Sequence, residues 1–173
     1  AGAVLTLATS NDFTSLNPGN RPRLSQDAAY VVVGDDGLPM NVWRVAGIGP
    51  APDGSAYQAL LRTWKVRTTH LGSADVVYLR FGSLPAAQSN GYHLAIHNTP
   101  SFDAGYDLID PVSSAAGEAV FRVDSTLLGS DTVHYMTVMT GVPVLTLGGT
   151  ATPATVDVNQ PVTYTFTYGN GGS

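Results

Sequence analysis

Two histidines, His93 and His97, are the residues whose spacing most resembles a metal site. The H-x-x-x-H pattern binds zinc when both imidazoles project from one face of a helix. The surrounding sequence GYHLAIH alternates apolar and polar residues, which predicts a strand. Four strand residues span about 13 Å, too far for both rings to reach one ion. We therefore expect two histidines on one face of a sheet, and no metal site.

Three aspartates, Asp103, Asp107 and Asp110, lie in FDAGYDLIDP within the segment 98–116, the longest stretch without a strand pattern. Long connections in a compact domain tend to be functional or to cross between sheets. Loop carboxylates can ligate calcium, although these three lack the EF-hand spacing. The segment is therefore either a solvated acidic loop or a calcium-binding loop.

Motifs for covalent or acid–base catalysis are missing from the sequence. There is no G-x-S-x-G elbow, no cysteine, and no serine three residues before Lys65. Glu118 is the only glutamate, which leaves little for a pair of glycosidase carboxylates. Glycine-rich phosphate loops are also absent. We expect no enzymatic activity and no cofactor, unless histidines from different strands converge as in a cupin-like enzyme.

Four aromatic residues could stack on sugar rings: Trp43, Trp64, Tyr92 and Tyr106. Each of them also occupies an alternating pattern in which a buried core position is the simpler interpretation. A secreted carbohydrate-binding β-sandwich module, located outside the cell, therefore remains an alternative function.

The composition fits one domain with a weakly charged surface. The chain has 173 residues, a net charge of −5 and only 12% charged residues, about half the globular average. Arg62 faces away from Lys65 and Arg67 in a predicted strand, so these cations do not form a patch that would bind nucleic acid. A surface with few charges favours coverage by another chain.

Membrane and targeting signals are not evident in the sequence. No apolar run approaches the roughly 20 residues that a membrane-spanning helix needs. The sequence begins at Ala1 without methionine, as after removal of an initiator methionine or of a leader.

Period-2 alternation recurs along the whole chain and predicts about nine or ten strands. The predicted strands are 3–9, 28–33, 38–48, 57–69, 75–81, 91–97, 118–124, 132–139, 142–147 and 162–168. GDDG at 34–37 predicts a hairpin that joins 28–33 to 38–48, and 110–116 predicts a helical turn. We expect an all-β antiparallel β-sandwich, a single jelly roll of about eight to ten strands, over residues 1–173 with 169–173 as a flexible tail.

The strand ladder also carries a family resemblance. Its segments are AAYVVVG, LRTWKVRTTH, DVVYLRF, GYHLAIH, EAVFRVD, TVHYMTVM and PVTYTFTY. In length, strand count and low charge the chain resembles the smaller, single-jelly-roll major capsid protein of tailless icosahedral bacteriophages with an internal membrane, such as those infecting Thermus. The resemblance implies a coat protein of the virion that tiles an icosahedral shell beside a second capsid protein, without catalysis or cofactor.

The first residues, AGAVLTLATSNDF, contain no basic side chain. Coat proteins of small RNA viruses commonly carry a basic N-terminal arm that neutralises the packaged genome. We therefore expect no direct contact with nucleic acid.

The last predicted strand is expected to mediate self-association, because an apolar strand face at a chain end is easily exchanged with a second copy. We expect a homo-oligomer in which either this strand or segment 3–9 forms a subunit contact, with a strand-swapped dimer as one form, and loss of the oligomer when the chain is truncated after Asn159. The predicted subunit-contact residues are Val162, Tyr164, Phe166 and Tyr168 of this strand, and Leu5 and Leu7 of the first strand.

Overall fold

Alternating residues form thirteen strands and one helix in the part of the chain that the computed structural model describes, residues 5–14, 24–45, 47–142, 145–152 and 163–170. The strands are β1 (Leu5–Ala8), β2 (Tyr30–Asp35), β3 (Trp43–Arg44), β4 (Tyr57–Leu60), β5 (Trp64–Thr69), β6 (Val76–Gly82), β7 (Ser89–His97), β8 (Asp107–Ile109), β9 (Ser113–Ala115), β10 (Glu118–Asp124), β11 (Val133–Gly141), β12 (Leu145–Thr152) and β13 (Thr163–Asn170). Helix α1 (Ser125–Leu128) is a single turn. Within these ranges we find no helix with the length and apolarity to cross a membrane.

Two antiparallel sheets face each other. Sheet A has the order β1-β6-β10-β9. In sheet B, the central strand β11 pairs along one edge with β7, which pairs with β8, and along the other edge with β5 and then β4. Strands β2 and β3 complete that side by pairing with β5 and β4. The predicted all-β antiparallel sandwich is confirmed, and the chain crosses repeatedly between the sheets, as in a jelly roll.

The inter-sheet core is built from the inward-facing residues of both sheets. Trp64 of sheet B meets Phe81 of sheet A edge to face at 4.9 Å, and Phe81 meets Phe121 at 5.8 Å. Such contacts stabilise a core beyond the burial of apolar area alone. Other buried members are Val66, Leu94, Ile96, Met136, Val138, Val77, Leu79 and Val123.

A second apolar cluster lies on the outer face of sheet B, beneath two covering segments, 47–56 and 98–106. Phe102 and Tyr106 are fully buried there against Ala59, Ala95 and Met139 of the sheet. The long segment noted in the sequence thus covers sheet B with its first half, and forms β8 and β9 with its second half.

The two covering segments are locked together at Gly49. Its N–H donates to the Phe102 carbonyl at 2.8 Å, and the Tyr106 hydroxyl donates to the Gly49 carbonyl at 2.9 Å. A Cβ at position 49 would lie 1.7 Å from the Asp103 carbonyl oxygen, so only glycine fits. Burial raises the pKa of the Tyr106 hydroxyl, which stays a neutral donor.

The hairpin β12–β13 forms a separate two-stranded sheet. Tyr164 and Phe166 share one face of β13 by strand alternation, and they are 67% and 69% exposed. Residues 169 and 170 of the expected flexible tail belong to β13, whereas 171–173 and Val162 lie outside the described residues.

Two predicted strands differ from the structure. Segment 38–48 does not pair with 28–33; only its Trp43–Arg44 is a strand, and it pairs with β4. GDDG is not a two-residue hairpin turn, because Asp35 and Asp36 instead accept the N–H groups of Gly37 and Leu38 in side-chain turns. The predicted strand 57–69 is broken at 61–63 into β4 and β5.

Smaller differences concern local backbone conformation. Ala28 has a φ of 59°, so the predicted strand 28–33 begins instead at Tyr30. The helical turn predicted at 110–116 is wrong: this segment contains β9, and the helix is α1, which Asp124 caps by accepting the Thr126 N–H at 3.1 Å. The predicted strand 118–124 agrees with β10.

A buried carboxylate, Asp75, ties the segment before β2 to the turn between β5 and β6. It accepts the Ser25 N–H and the Gly72 N–H, both at 2.8 Å. Burial raises the pKa of Asp75, but the hydrogen bonds from Gly72 and Ser25 outweigh it, so the pKa lies below the ordinary value of 3.8. The charged form is therefore favoured in the folded state.

We predict that Asp75→Asn lowers the free energy of unfolding by about 1–3 kcal/mol, because an amide group would face two backbone donors. Since the folded pKa is depressed, the contribution of Asp75 is present above pH 3.8 and is lost as the pH falls through the folded pKa. Urea unfolding between pH 7 and pH 3 measures this. Exposed Asp27→Asn is the control, and equal stability of the two variants at pH 7 would contradict the role of Asp75.

Candidate functional site

A groove on the outer face of sheet B lies beside the break between β4 and β5. Residues 61–63 leave the ladder with β11, so their backbone groups need other partners. The buried Thr137 hydroxyl lies 3.0 Å from the Arg62 carbonyl oxygen and donates to it, while the Leu61 N–H donates to the Val42 carbonyl at 2.9 Å. The break is thus fully integrated into the fold.

Asp36 attaches the connection after β2 to the same break. Its N–H donates to the Thr63 carbonyl at 3.2 Å, and its Oδ2 accepts the Thr63 N–H at 3.1 Å. Its Oδ1 accepts the Leu38 N–H at 3.0 Å. Neighbouring Asp35 accepts the Gly37 N–H at 2.7 Å and lies 3.4 Å from the Arg62 guanidinium. These bonds hold the wall of the groove.

The floor of the groove is a row of residues in register across sheet B. Gly34 of β2 pairs with Lys65 of β5, which pairs with Tyr135 of β11. A Cβ at Gly34 would meet no atom within 4 Å, so the missing side chain leaves open space. Pro100 of the covering segment closes one side.

The groove has a volume of about 510 Å³. It is lined by Gly34, Asp35, Asp36, Leu38, Arg44, Leu61, Thr63, Lys65, Pro100 and Tyr135. Two carboxylates therefore face two cations, so the formal charges balance. Within the described residues Lys65 makes no salt bridge and the Tyr135 hydroxyl has no hydrogen bond. Their polar atoms are available to a ligand, beside apolar surface from the leucines and the proline.

The two histidines of the H-x-x-x-H pattern lie on one face of β7, as predicted, but each contacts its own partners. His93 contacts Asp110 Oδ1 at 3.0 Å through Nδ1 and the Asn90 carbonyl at 2.8 Å through Nε2. His97 Nδ1 lies 2.6 Å from the Ser101 carbonyl oxygen. Burial lowers the pKa of His134, whose Nε2 is buried without a partner among the described residues.

The acidic residues considered from the sequence do not converge. Asp110 contacts His93, Asp107 begins β8, and Asp103 is exposed in the covering segment. Glu118 pairs with Arg80 at 2.6 Å on sheet A. In the described ranges no group of three or more His, Cys, Asp or Glu side chains is placed to hold a metal ion.

The core interpretation preferred for the four aromatic residues is confirmed, and they form no exposed platform. Trp64, Tyr92 and Tyr106 are buried, and Trp43 packs against the core with its indole N–H donating to the Ala86 carbonyl at 3.1 Å. Sequence reasoning missed Tyr135 because its alternating strand gave no sign of which face is covered. Two signals in the sequence could have pointed to the groove: Gly34, which ends the apolar run AAYVVVG, and Lys65, the only lysine of the chain.

The positions of the predicted subunit-contact residues neither support nor contradict self-association. Leu5 and Leu7 are paired with Phe81 and Leu79; Leu5 packs against the core, whereas Leu7 is 37% exposed. Strand β1 pairs with β6 and with no other described strand. Tyr164 and Phe166 are exposed on β13, and the backbone of Tyr168 pairs with Leu147.

We predict that Thr137→Val lowers the free energy of unfolding by about 1 kcal/mol, because the Arg62 carbonyl loses its donor in a buried setting. Thermal and urea unfolding measure the loss. Thr137→Ser keeps the hydroxyl and serves as the control for it. A valine variant as stable as the wild type would show that the hydroxyl does not support the break.

Comparison with known proteins gives one family. A domain of unknown function, DUF8202, matches residues 1–127, which include β1 to β10 and end within α1. No curated protein and no solved structure matches the chain. Since the match covers well over half of the sequence, the chain belongs to the DUF8202 family.

Proposed function

We propose that this chain is a non-catalytic β-sandwich module that binds a neutral carbohydrate in the groove over sheet B. The observation that carries the proposal is the lining of the groove, in which balanced charges surround apolar surface and one aromatic ring. Such a module acts outside the cell, the alternative location expected from the sequence.

Charge balance favours an uncharged ligand. Asp35 and Asp36 disfavour an anion, and Arg44 and Lys65 disfavour a cation, because each would meet two like charges at close range. A polyhydroxylated ligand offers both hydrogen-bond donors and acceptors, so it can bind the two carboxylates and the two cations at once. Hydrogen bonds to ionised groups are about twice as strong as neutral ones.

The hydrogen bonds that the two carboxylates make within the fold support binding over catalysis. Both oxygens of Asp36 accept backbone N–H groups, and Asp35 accepts an N–H while facing Arg62. These oxygens are already engaged by donors of the fold, whereas a general acid needs a carboxyl oxygen within hydrogen-bond reach of the substrate oxygen that it protonates. Neither aspartate is therefore positioned to protonate a glycosidic oxygen.

We predict that Gly34→Leu and Lys65→Ala each lower the affinity for a bound glycan at least about tenfold, because one fills the floor and the other removes a donor. A glycan array identifies the ligand, and calorimetry measures its dissociation constant. Neither variant should change the melting temperature, since position 34 has open space and Lys65 is exposed.

Arg122→Ala, an exposed cation on sheet A, is the matched control and should bind like the wild type. Failure of the wild-type protein to bind any glycan on the array would contradict the proposal, as would full affinity in Gly34→Leu.

A second candidate function, the self-associating coat protein, is favoured by β13. Tyr164 and Phe166 are the most exposed large apolar side chains in the described part of the chain. Exposed aromatic residues on one strand face are typical of an interaction site. Burial in a neighbouring copy would provide the covered surface that a shell requires.

We predict, under this second function, that the protein forms oligomers at high concentration and that Tyr164→Thr/Phe166→Thr is monomeric, because the apolar strand face is lost. Light scattering after size-exclusion chromatography measures the mass. Thr163→Ser/Thr165→Ser, on the opposite face of β13, is the control. A wild-type protein that stays monomeric at all concentrations would exclude the shell role.

A further inference from the structure

Among the described residues, two segments cover one half of the strands that form the outer face of sheet B. The segments 47–56 and 98–106 bury Ala59, Ala95 and Met139, which lie on β4, β7 and the second half of β11. The remaining half, made by β2, β5 and the first half of β11, carries exposed residues: Tyr30 is 43%, Val32 55% and Val133 38% accessible.

This uncovered half continues the floor of the groove in register. Next to the row Gly34–Lys65–Tyr135 lies the row Val32–Arg67–Val133, followed by Tyr30 opposite Thr69. Same-face residues on a strand are about 6.6 Å apart, so the surface extends about 13 Å beyond Gly34. The connection after β2 closes this path at the Gly34 end, and Tyr30 lies at its far end.

The chemistry of the extension matches that of the groove. Val32 and Val133 provide apolar surface on both sides of the exposed Arg67, and Tyr30 places a ring at the far end. A sugar chain presents alternating hydroxyl and C–H surfaces, which can use a cation and apolar side chains at successive positions.

We propose that the groove is the closed end of a longer site that binds a neutral polysaccharide chain over several sugar units. This inference rests on the proposed function. The unit in the groove contacts Lys65 and Tyr135. The following units lie over Val32, Arg67 and Val133 and reach Tyr30. Affinity therefore grows with chain length, and Tyr30 contributes only when the chain is long enough to reach it.

The test compares di- and hexasaccharides of the gluco, xylo, manno and galacto series, by calorimetry, on wild type, Tyr30→Ala and Val32→Ala. The hexasaccharide of the recognised series should bind the wild type at least about tenfold more tightly than the disaccharide. Tyr30→Ala should lose several-fold affinity for the hexasaccharide and keep that for the disaccharide, whereas Val32→Ala, next to the groove, should lower both affinities. Val112→Ala, at an exposed position elsewhere, is the matched control.

The possible failures are distinguishable. Binding that does not strengthen from di- to hexasaccharide overturns the extended site and leaves the groove proposal intact. The same holds if Tyr30→Ala reduces both affinities equally. If Tyr30→Ala instead changes the oligomeric mass, this face contacts a second copy and the extended site is overturned. Absence of any glycan binding overturns the proposed function and this inference together.

Discussion

The form of sheet B depends on how backbone hydrogen bonds are satisfied at the break between β4 and β5, the two strands that pair with one edge of β11. At residues 61–63 the chain leaves the ladder, and a buried polar backbone group without a partner would cost free energy. Thr137, a side chain of β11, and Asp36 supply partners for the break, and Asp36 thereby attaches the connection after β2 to it. The groove lies beside this break.

Alternation of apolar and polar residues predicted the sandwich well, because a strand in a sandwich has one buried face and one solvent-exposed face. Segment 118–124 is β10 because EAVFRVD buries one face against the core. The prediction failed where side chains replace backbone partners. Asp35 and Asp36 turn the chain through their carboxylates, which the letters GDDG do not distinguish from a tight hairpin.

The candidate site was less accessible to sequence reasoning because it is assembled across the sheet. Gly34, Lys65 and Tyr135 become neighbours only through the register of three strands that are distant in the chain. The conspicuous tryptophans belong to the core, because each sits on the inward face or against it. Phe102 and Tyr106 of a covering segment bury part of the outer face of sheet B. This contact between a loop and a sheet could not be predicted from a single sequence.

The late position of β11 in the chain also constrains how the protein can fold during synthesis. This central strand holds β5 and β4 on one edge and β7 on the other, yet it spans residues 133–141 and follows the segment matched by the family. Until it has been synthesised, the two halves of sheet B have no direct ladder between them. Pairing in the nascent chain must therefore wait for a late segment, a non-local order that slows folding and leaves strand edges open to other chains.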